Sequence, residues 1–166
     1  MMKWSDNNDL FIKELTEGFA WQSIPMMFFK LHNFDVQMPS LEIRDDSIKN
    51  AAPFFNSKDL FVNRMRIEIK SRKEKFTSPD SFPYDTAMVD TVKKFTGRTD
   101  KPVAYVMISR DTGSMLWVDS TRYKEWDIIE RFDNTRKFRE KFFVVDKNKL
   151  LPMNLLVSAL KRASGV

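Results

Sequence analysis

Residues 59–72, "DLFVNRMRIEIKSR", constrain the fold more than any other stretch of the chain. Apolar and polar residues alternate on both sides of Asn63-Arg64, a pattern typical of two strands joined by a two-residue turn. Asparagine tolerates the positive φ that such turns need. Pairing across the turn sets Asp59 opposite Glu68, and the alternation makes one face of the hairpin entirely apolar. That face carries Leu60, Val62, Met65, Ile67 and Ile69.

The other face of the predicted hairpin is mostly charged, and it carries Asp59, Phe61, Arg66, Glu68, Lys70 and Arg72. Two carboxylates directly opposite each other, with Cβ atoms about 5 Å apart, repel and destabilise the strand pair unless their charge is offset. Mg²⁺ suits that role, because it is commonly held by one or two carboxylates together with water and substrate phosphate. Lys70 shares the face, where its ammonium can orient a metal-bound water or stabilise charge on a phosphate. We therefore predict a Mg²⁺ site at Asp59 and Glu68.

The same charges have a simpler interpretation. On a solvated hairpin face, Arg66 and Lys70 neutralise Glu68 and no metal is needed. A Glu-x-Lys triplet is common and carries little information by itself. The metal site therefore depends on Asp59 lying in cross-strand register with Glu68.

The segments before the hairpin predict helices and an extended stretch. A first helix is predicted to start near Asn8 or Asp9, which are good N-caps, and to run through "LFIKELTEGF". Pro25 then interrupts the chain, so that a second helical piece covers "MMFFKL". The stretch "FDVQMPSLEIRDD" is predicted to be extended, with a break at Pro39.

Helices and strands are also predicted after the hairpin. The loop "KEKFTSPDSFP" leads to "YDTAMVDTVKKFTG", predicted to be a helix that Asp85 or Thr86 caps and Gly97 ends. Three strands are predicted, namely "PVAYVMIS", covered on both faces, "MLWVD" after the turn "DTGS", and "KFFVVD". Two further helices are predicted at "YKEWDIIERF" and "PMNLLVSALKRA". This order indicates an α/β fold with a central mixed β-sheet flanked by helices, in one domain over residues 1–166.

The composition excludes several kinds of site. The chain has no cysteine, which rules out disulfides, thiolate metal sites and a cysteine nucleophile. Its single histidine, His32, makes a Ser-His-Asp triad improbable. The most apolar stretch, "FAWQSIPMMFFKL", is shorter than the roughly 20 residues of a membrane span, so we expect no membrane partner and a location in the cytoplasm. The net charge of +5 permits a nucleic-acid partner without requiring one.

At Lys58-Asp59 and Glu68-Ile69-Lys70 the sequence resembles the PD-(D/E)XK nuclease superfamily, over roughly residues 9–120. The resemblance implies a restriction-endonuclease-like core of helix, three strands, helix and strand (αβββαβ), here with a C-terminal extension. It also implies Mg²⁺-dependent hydrolysis of nucleic-acid phosphodiesters, with Mn²⁺ able to substitute. Asp59 and Glu68 would be the metal ligands and Lys70 the residue that positions the attacking water. Glu14, from the first helix, would be a further acidic catalytic residue, with Glu17 as the second choice.

The sequence departs from the superfamily pattern at two points. Lys58 stands where the motif has its proline, and the predicted helix after the motif lacks a Gln or Lys in its first turns. That helix instead begins with Tyr84 and Asp85. The small size of the chain is similar to that of phage-encoded and recombination nucleases such as Holliday junction resolvases, which implies action in a host cytoplasm and a homodimer as one expected assembly.

Basic residues near the hairpin suggest how DNA would be held. Residues 58–75 include seven Lys or Arg against three acidic residues, and Arg66, Arg72, Lys73 and Lys75 are the predicted phosphate contacts. Two other readings remain open from sequence. One is a non-catalytic nucleic-acid-binding or protein-interaction module on the same fold, and the other a structural or regulatory phage protein with no nucleic-acid role.

Overall fold

A computed structural model describes residues 17, 20–38, 59–133 and 138–165, which form two β-sheets and three helices. Helix α1 includes residues 20–31. The other elements are β1 (Val36–Gln37), β2 (Asp59–Val62), β3 (Met65–Arg72), β4 (Thr86–Thr91), α2 (Val92–Thr96), β5 (Ala104–Ser109), β6 (Met115–Asp119), β7 (Asp127–Asp133), β8 (Phe138–Asp146), β9 (Leu151–Pro152) and α3 (Met153–Ser164), with 3-10 turns at Ser120–Glu125 and Lys147–Lys149.

The larger sheet is mixed and has the strand order β1-β2-β3-β5-β6-β9. Strands β3 and β5 run parallel, whereas the other neighbours in this sheet are antiparallel. A parallel pair needs a long crossover, and here β4 and α2 provide it. Strand β4 itself joins a second, antiparallel sheet with the order β4-β8-β7. The α/β fold with a central mixed sheet is therefore confirmed.

The hairpin of β2 and β3 has the predicted register. Asp59 pairs with Glu68, and Val62 pairs with Met65 next to the turn. Asn63 and Arg64 have φ values of 47° and 66°, the left-handed pair that a two-residue hairpin turn requires. Asn63 also fixes the turn to its surroundings, because its Oδ1 accepts a hydrogen bond of 2.9 Å from the amide of Asp35.

Two hydrophobic cores lie on opposite faces of the larger sheet. The first packs the apolar face of the hairpin against α1 and α3, and includes Leu60, Ile67, Phe29 and Leu156. The second lies between the larger sheet and the α2, β4 and β8 side, and includes Tyr105, Phe95, Val89 and Phe143. All six residues of β5 are buried, as predicted for a central strand covered on both faces. The charged face of the hairpin points to the second side.

The predicted helix over "YDTAMVDTVKKFTG" is mostly wrong. Residues Thr86–Thr91 form β4, which pairs with β8, and only Val92–Thr96 are helical. Thr91, not Asp85 or Thr86, caps this helix by accepting a hydrogen bond from the amide of Lys94. The strand forms because Ala87 and Val89 fill the second core, and that burial outweighs the helical spacing of Met88, Val92 and Phe95. The end of the helix at Gly97 is confirmed.

Two other helix predictions also differ from the structure. The segment "YKEWDIIERF" is the end of a 3-10 turn followed by β7, because its residues from Asp127 onward pair with β8. Pro25 does not interrupt α1, which is helical on both sides of it. Its ring is buried on the same helix face as Gln22 and Phe29, and this packing offsets the missing backbone hydrogen bond. The predicted helix start near Asn8 lies outside the described residues.

The predictions for β6, β8 and the C-terminal helix are confirmed. Pro152 occupies the N-cap of α3, and Gly165 ends the helix with a φ of 71°. The extended stretch is confirmed only at Val36–Gln37, since residues 39–58 are not described. Among the described residues, no helix is both long enough and apolar enough to cross a membrane.

The turn gives a test of the hairpin geometry. Arg64 is exposed and holds a positive φ, which is unfavourable for a residue with a Cβ. We expect Arg64→Gly to raise the free energy of unfolding by about 0.5–1 kcal/mol, measured by urea titration. Arg64→Ala keeps the Cβ and is the matched control. Equal stabilisation by Ala and Gly would show that backbone strain at this turn is not the cause.

Candidate functional site

A charged cluster lies between the hairpin and the β4–α2 unit. It is formed by Asp59 on β2, Arg66, Glu68 and Lys70 on β3, Asp90 on β4, Lys94 on α2, and Arg98 in the loop that follows. Three carboxylates therefore meet four cations in this charged cluster. The sequence predicted the part of it that comes from the hairpin, and the rest depends on where β4 and α2 pack.

Glu68 is the centre of the charged cluster and is 1% exposed. Its Oε1 lies 2.6 Å from Nζ of Lys70 and 2.6 Å from Nζ of Lys94, while its Oε2 accepts a hydrogen bond from Arg98. Burial by itself raises the pKa of Glu68, but the charges of the two lysines outweigh it and hold the pKa well below the usual range. Glu68 is therefore an ionised carboxylate at every pH at which such a protein works.

Asp59 faces Glu68 across the strand pair and is fully buried. Arg66 pairs with Oδ2 of Asp59. The other oxygen, Oδ1 of Asp59, is buried and has no hydrogen-bond partner in the described part of the chain. Burial and the charge of Glu68 raise the pKa of Asp59 to about 6, and Arg66 offsets this only in part. An unpaired buried oxygen is costly, so this carboxylate is suited to take up either a proton or a cation.

Asp90 is a residue that the sequence reasoning missed. It is 5% exposed, its Oδ2 accepts a hydrogen bond of 2.8 Å from the hydroxyl of Tyr105, and its Oδ1 lies 3.3 Å from Nζ of Lys70. The pairing register of β4 with β8 shifts between Met88 and Asp90, a bulge that re-aims the following side chain. The β-branched residues of "TAMVDT" were the available signal for a strand there.

Lys94 is the second residue that the sequence reasoning missed. Like Lys70 it lies beside Oε1 of Glu68, but its pKa is shifted in the opposite direction. Although burial lowers the pKa of Lys70, Glu68 and Asp90 outweigh that effect and raise it. For Lys94, burial and the charge of Lys70 lower the pKa against the opposing effect of Glu68. Asp90 raises the pKa of both lysines, so the difference lies in burial and in the charge of Lys70, which lowers the pKa of Lys94.

The other predicted residues have different surroundings. Arg66 pairs with Asp59 and donates a 3.0 Å hydrogen bond to the carbonyl oxygen of Asp100, and Arg72 donates to the carbonyl oxygen of Met88. Lys73 is exposed, and Lys75 forms a surface ion pair of 3.3 Å with Asp111. These last two remain open to solvent, where a phosphate can reach them.

Of the two acidic residues of the first helix that were predicted as catalytic, Glu14 and Glu17, only Glu17 is among the described residues. Glu14 lies outside the described residues, and Glu17 is helical and exposed. Asp85, at the start of the segment first predicted to be a helix, instead accepts a backbone hydrogen bond from Lys147. His32 packs its ring 4.7 Å from that of Phe28, on the side of the first core.

Asp59 and Glu68 offer a fit for Mg²⁺ as a pair. The unpartnered Oδ1 of Asp59 is an oxygen that a cation would satisfy, and Glu68 is ionised. Within the described residues no three acidic or histidine side chains group closely enough to form a metal centre alone. Mg²⁺ commonly keeps several waters and takes only one or two carboxylates, so two ligands from this hairpin are sufficient.

Comparison with known proteins does not supply a family. No protein-family model matches the chain, and neither curated proteins nor solved structures gave a match.

The raised pKa of Asp59 predicts how stability changes with pH. Below the unfolded pKa near 3.8, Asp59 is protonated in both states and has no effect. As pH rises from there to about 6, the unfolded state ionises Asp59 while the folded state keeps it protonated, so the folded state loses stability over this range. We expect Asp59→Asn to match wild type at about pH 4 and to be more stable by up to about 3 kcal/mol at about pH 8, without divalent metal. Urea unfolding in EDTA measures this.

Asp80→Asn, on an exposed loop residue, is the control and should leave the free energy of unfolding close to the wild-type value. If Asp59→Asn were less stable than wild type at high pH, the ion pair with Arg66 would outweigh the burial of Asp59, and the interpretation of its raised pKa would be wrong.

Proposed function

We propose that the chain is a metal-dependent nuclease of the PD-(D/E)XK type, which hydrolyses DNA phosphodiester bonds at the charged cluster. One observation carries the proposal: Asp59 and Glu68 face each other across the hairpin, both buried, and Asp59 has an oxygen without a partner among the described residues. A hairpin with a purely structural role would not require two facing buried carboxylates, because apolar residues of similar size would pack there without the cost of burying charge.

The order of elements supports the same proposal. Helix α1 is followed by β1, β2 and β3, and then by α2 and β5, which lies parallel to β3. This agrees with the helix, three strands, helix and strand expected for a restriction-endonuclease-like core. Strand β4 is an addition, because it leaves the larger sheet and pairs with β8. The helix after the motif also carries Lys94, so the basic residue that was missing from its first turns is present once the helix begins at Val92.

In the proposed mechanism, Asp59 and Glu68 would hold Mg²⁺, with Mn²⁺ as a substitute. The bound ion supplies Lewis acidity to the phosphate and lowers the pKa of a coordinated water. Lys70, kept protonated by Glu68 and Asp90, holds the water or the phosphate oxygen beside the carboxylates.

Asp90 acts through its neighbours. Tyr105 donates a hydrogen bond to one of its oxygens, and its other oxygen lies near the ammonium of Lys70. Asp90 therefore fixes where the Lys70 ammonium sits relative to Glu68. Lys73 and Lys75, which are exposed and directly follow β3, are the proposed outer phosphate contacts for DNA.

One observation favours a second function. Both oxygens of Glu68 already face cations, namely Lys70, Lys94 and Arg98, so Glu68 is neutralised without a metal. A charged cluster balanced in this way can support a non-catalytic nucleic-acid-binding module on the same fold. The two functions differ in whether a divalent metal binds and whether the DNA strand is cut.

The test is cleavage of duplex, single-stranded and branched DNA with Mg²⁺ or Mn²⁺. We expect wild type to cut at least one substrate, and Asp59→Asn, Glu68→Gln and Lys70→Ala each to lose about 100-fold or more of that activity. Asp59→Asn is the most informative variant, because it removes a proposed ligand and is expected to be at least as stable as wild type above pH 6.

Asp80→Asn and Lys124→Ala change exposed residues outside the charged cluster and should retain wild-type activity. Calorimetry with Mn²⁺ provides a second readout, in which the proposed site binds metal and Asp59→Asn does not. A folded wild type that neither cuts DNA nor binds Mn²⁺ would exclude the nuclease and leave the non-catalytic module.

A further inference from the structure

A cleft of about 770 Å³ opens beside the charged cluster. It is bounded by the hairpin on one side and by α2 with its following loop on the other. Among the described residues its basic members are Arg66, Lys93, Lys94 and Arg98, and its acidic members are Asp100 and Glu140. Three of these basic residues also belong to the charged cluster, so the cleft and the proposed catalytic centre share a wall.

Phe61 supplies the cleft with an aromatic ring. It is half-buried on β2, on the charged face of the hairpin, opposite Arg66 in the strand pairing. It lies two residues along the strand from Asp59, or about 7 Å. That distance is close to the spacing of neighbouring phosphates along one nucleic-acid strand.

We propose that this cleft binds an unpaired nucleotide next to the cleaved phosphate, with its base against Phe61 and its phosphate held by Lys94 and Arg98. The substrate class is therefore DNA with a single-stranded segment at the cutting position. The proposal rests on the proposed function only in placing the cleaved phosphate at the charged cluster.

The size of the cleft favours one strand over two. Its volume is within the range of about 300–1,000 Å³ that holds a single small ligand. A base can stack on a protein ring only when it is not stacked and paired inside a duplex. Aromatic rings combined with basic side chains are the usual way in which proteins bind single strands without reading their sequence.

Two basic residues of the cleft, Lys94 and Arg98, can donate hydrogen bonds to a phosphate. Lys94 is 41% exposed, although it pairs with Glu68. Arg98 lines the cleft beside Lys94 and is 7% exposed, and its Nε is a buried donor that has no hydrogen-bond partner within the described residues. Arginine and lysine donors of this kind form strong, charge-assisted hydrogen bonds to phosphate oxygens.

The experiment measures binding separately from cleavage. Fluorescence anisotropy in EDTA would compare a labelled oligothymidylate with the same strand annealed to its complement. Phe61→Leu keeps an apolar side chain but removes the ring, and Phe61→Tyr keeps the ring. We expect wild type to prefer the single strand, Phe61→Leu to bind it about tenfold more weakly, and Phe61→Tyr to bind it as wild type does. Phe132→Ala, at an exposed aromatic residue of β7, is the control and should bind normally.

The outcomes separate the two proposals. Equal or tighter binding of the duplex by wild type, or full affinity in Phe61→Leu, would overturn the single-strand site even if the protein proves to be a nuclease. Phe61-dependent binding of the single strand with no cleavage under any metal would support the site and overturn the nuclease.

Discussion

The burial of Asp59 beside Glu68 is the constraint on which the rest of the molecule depends. Two carboxylates removed from water cost several kcal/mol each unless cations approach them closely. The hairpin provides Arg66, which pairs with Asp59, and Lys70, which pairs with Oε1 of Glu68. Arg98 pairs with Oε2 of Glu68 and Lys94 adds a second cation at Oε1, and both come from the chain that follows β4. The position of α2 and its loop is thus tied electrostatically to the hairpin.

Strand β4 makes that arrangement possible because it belongs to the second sheet. Its pairing with β8 places α2 over the charged face of the hairpin, and its bulge brings Asp90 to Tyr105 and Lys70. The larger sheet consequently has an apolar face against α1 and α3 and a face where aromatic packing surrounds buried charge. Charges fixed in such a low-dielectric interior interact more strongly than they would in water.

The hairpin, the central strand β5 and helix α3 could be predicted from sequence, because each is specified by residues close together in the chain. Asn63-Arg64 and the two-residue alternation define β2 and β3, including the pairing of Asp59 with Glu68. The segments at Thr86–Thr91 and Asp127–Asp133 were predicted to be helices and are strands. Both pair with β8. For Thr86–Thr91 this partner lies far away in sequence, and long-range pairing of this kind overrides a local helical pattern.

In the candidate site, too, some residues could be predicted from local sequence and others could not. By itself the sequence determined the hairpin core, with Asp59, Glu68 and Lys70 on one face, since strand alternation and a short turn leave little choice of register. Only the tertiary structure brought Asp90, Lys94 and Arg98 to that face and opened the cleft beside Phe61. Those contacts join residues that are 20 to 30 positions apart in the chain, between Lys70 and Asp90 and between Glu68 and Arg98. The balance of buried charge and the packing of two sheets decided them, and neither is a property of any one segment.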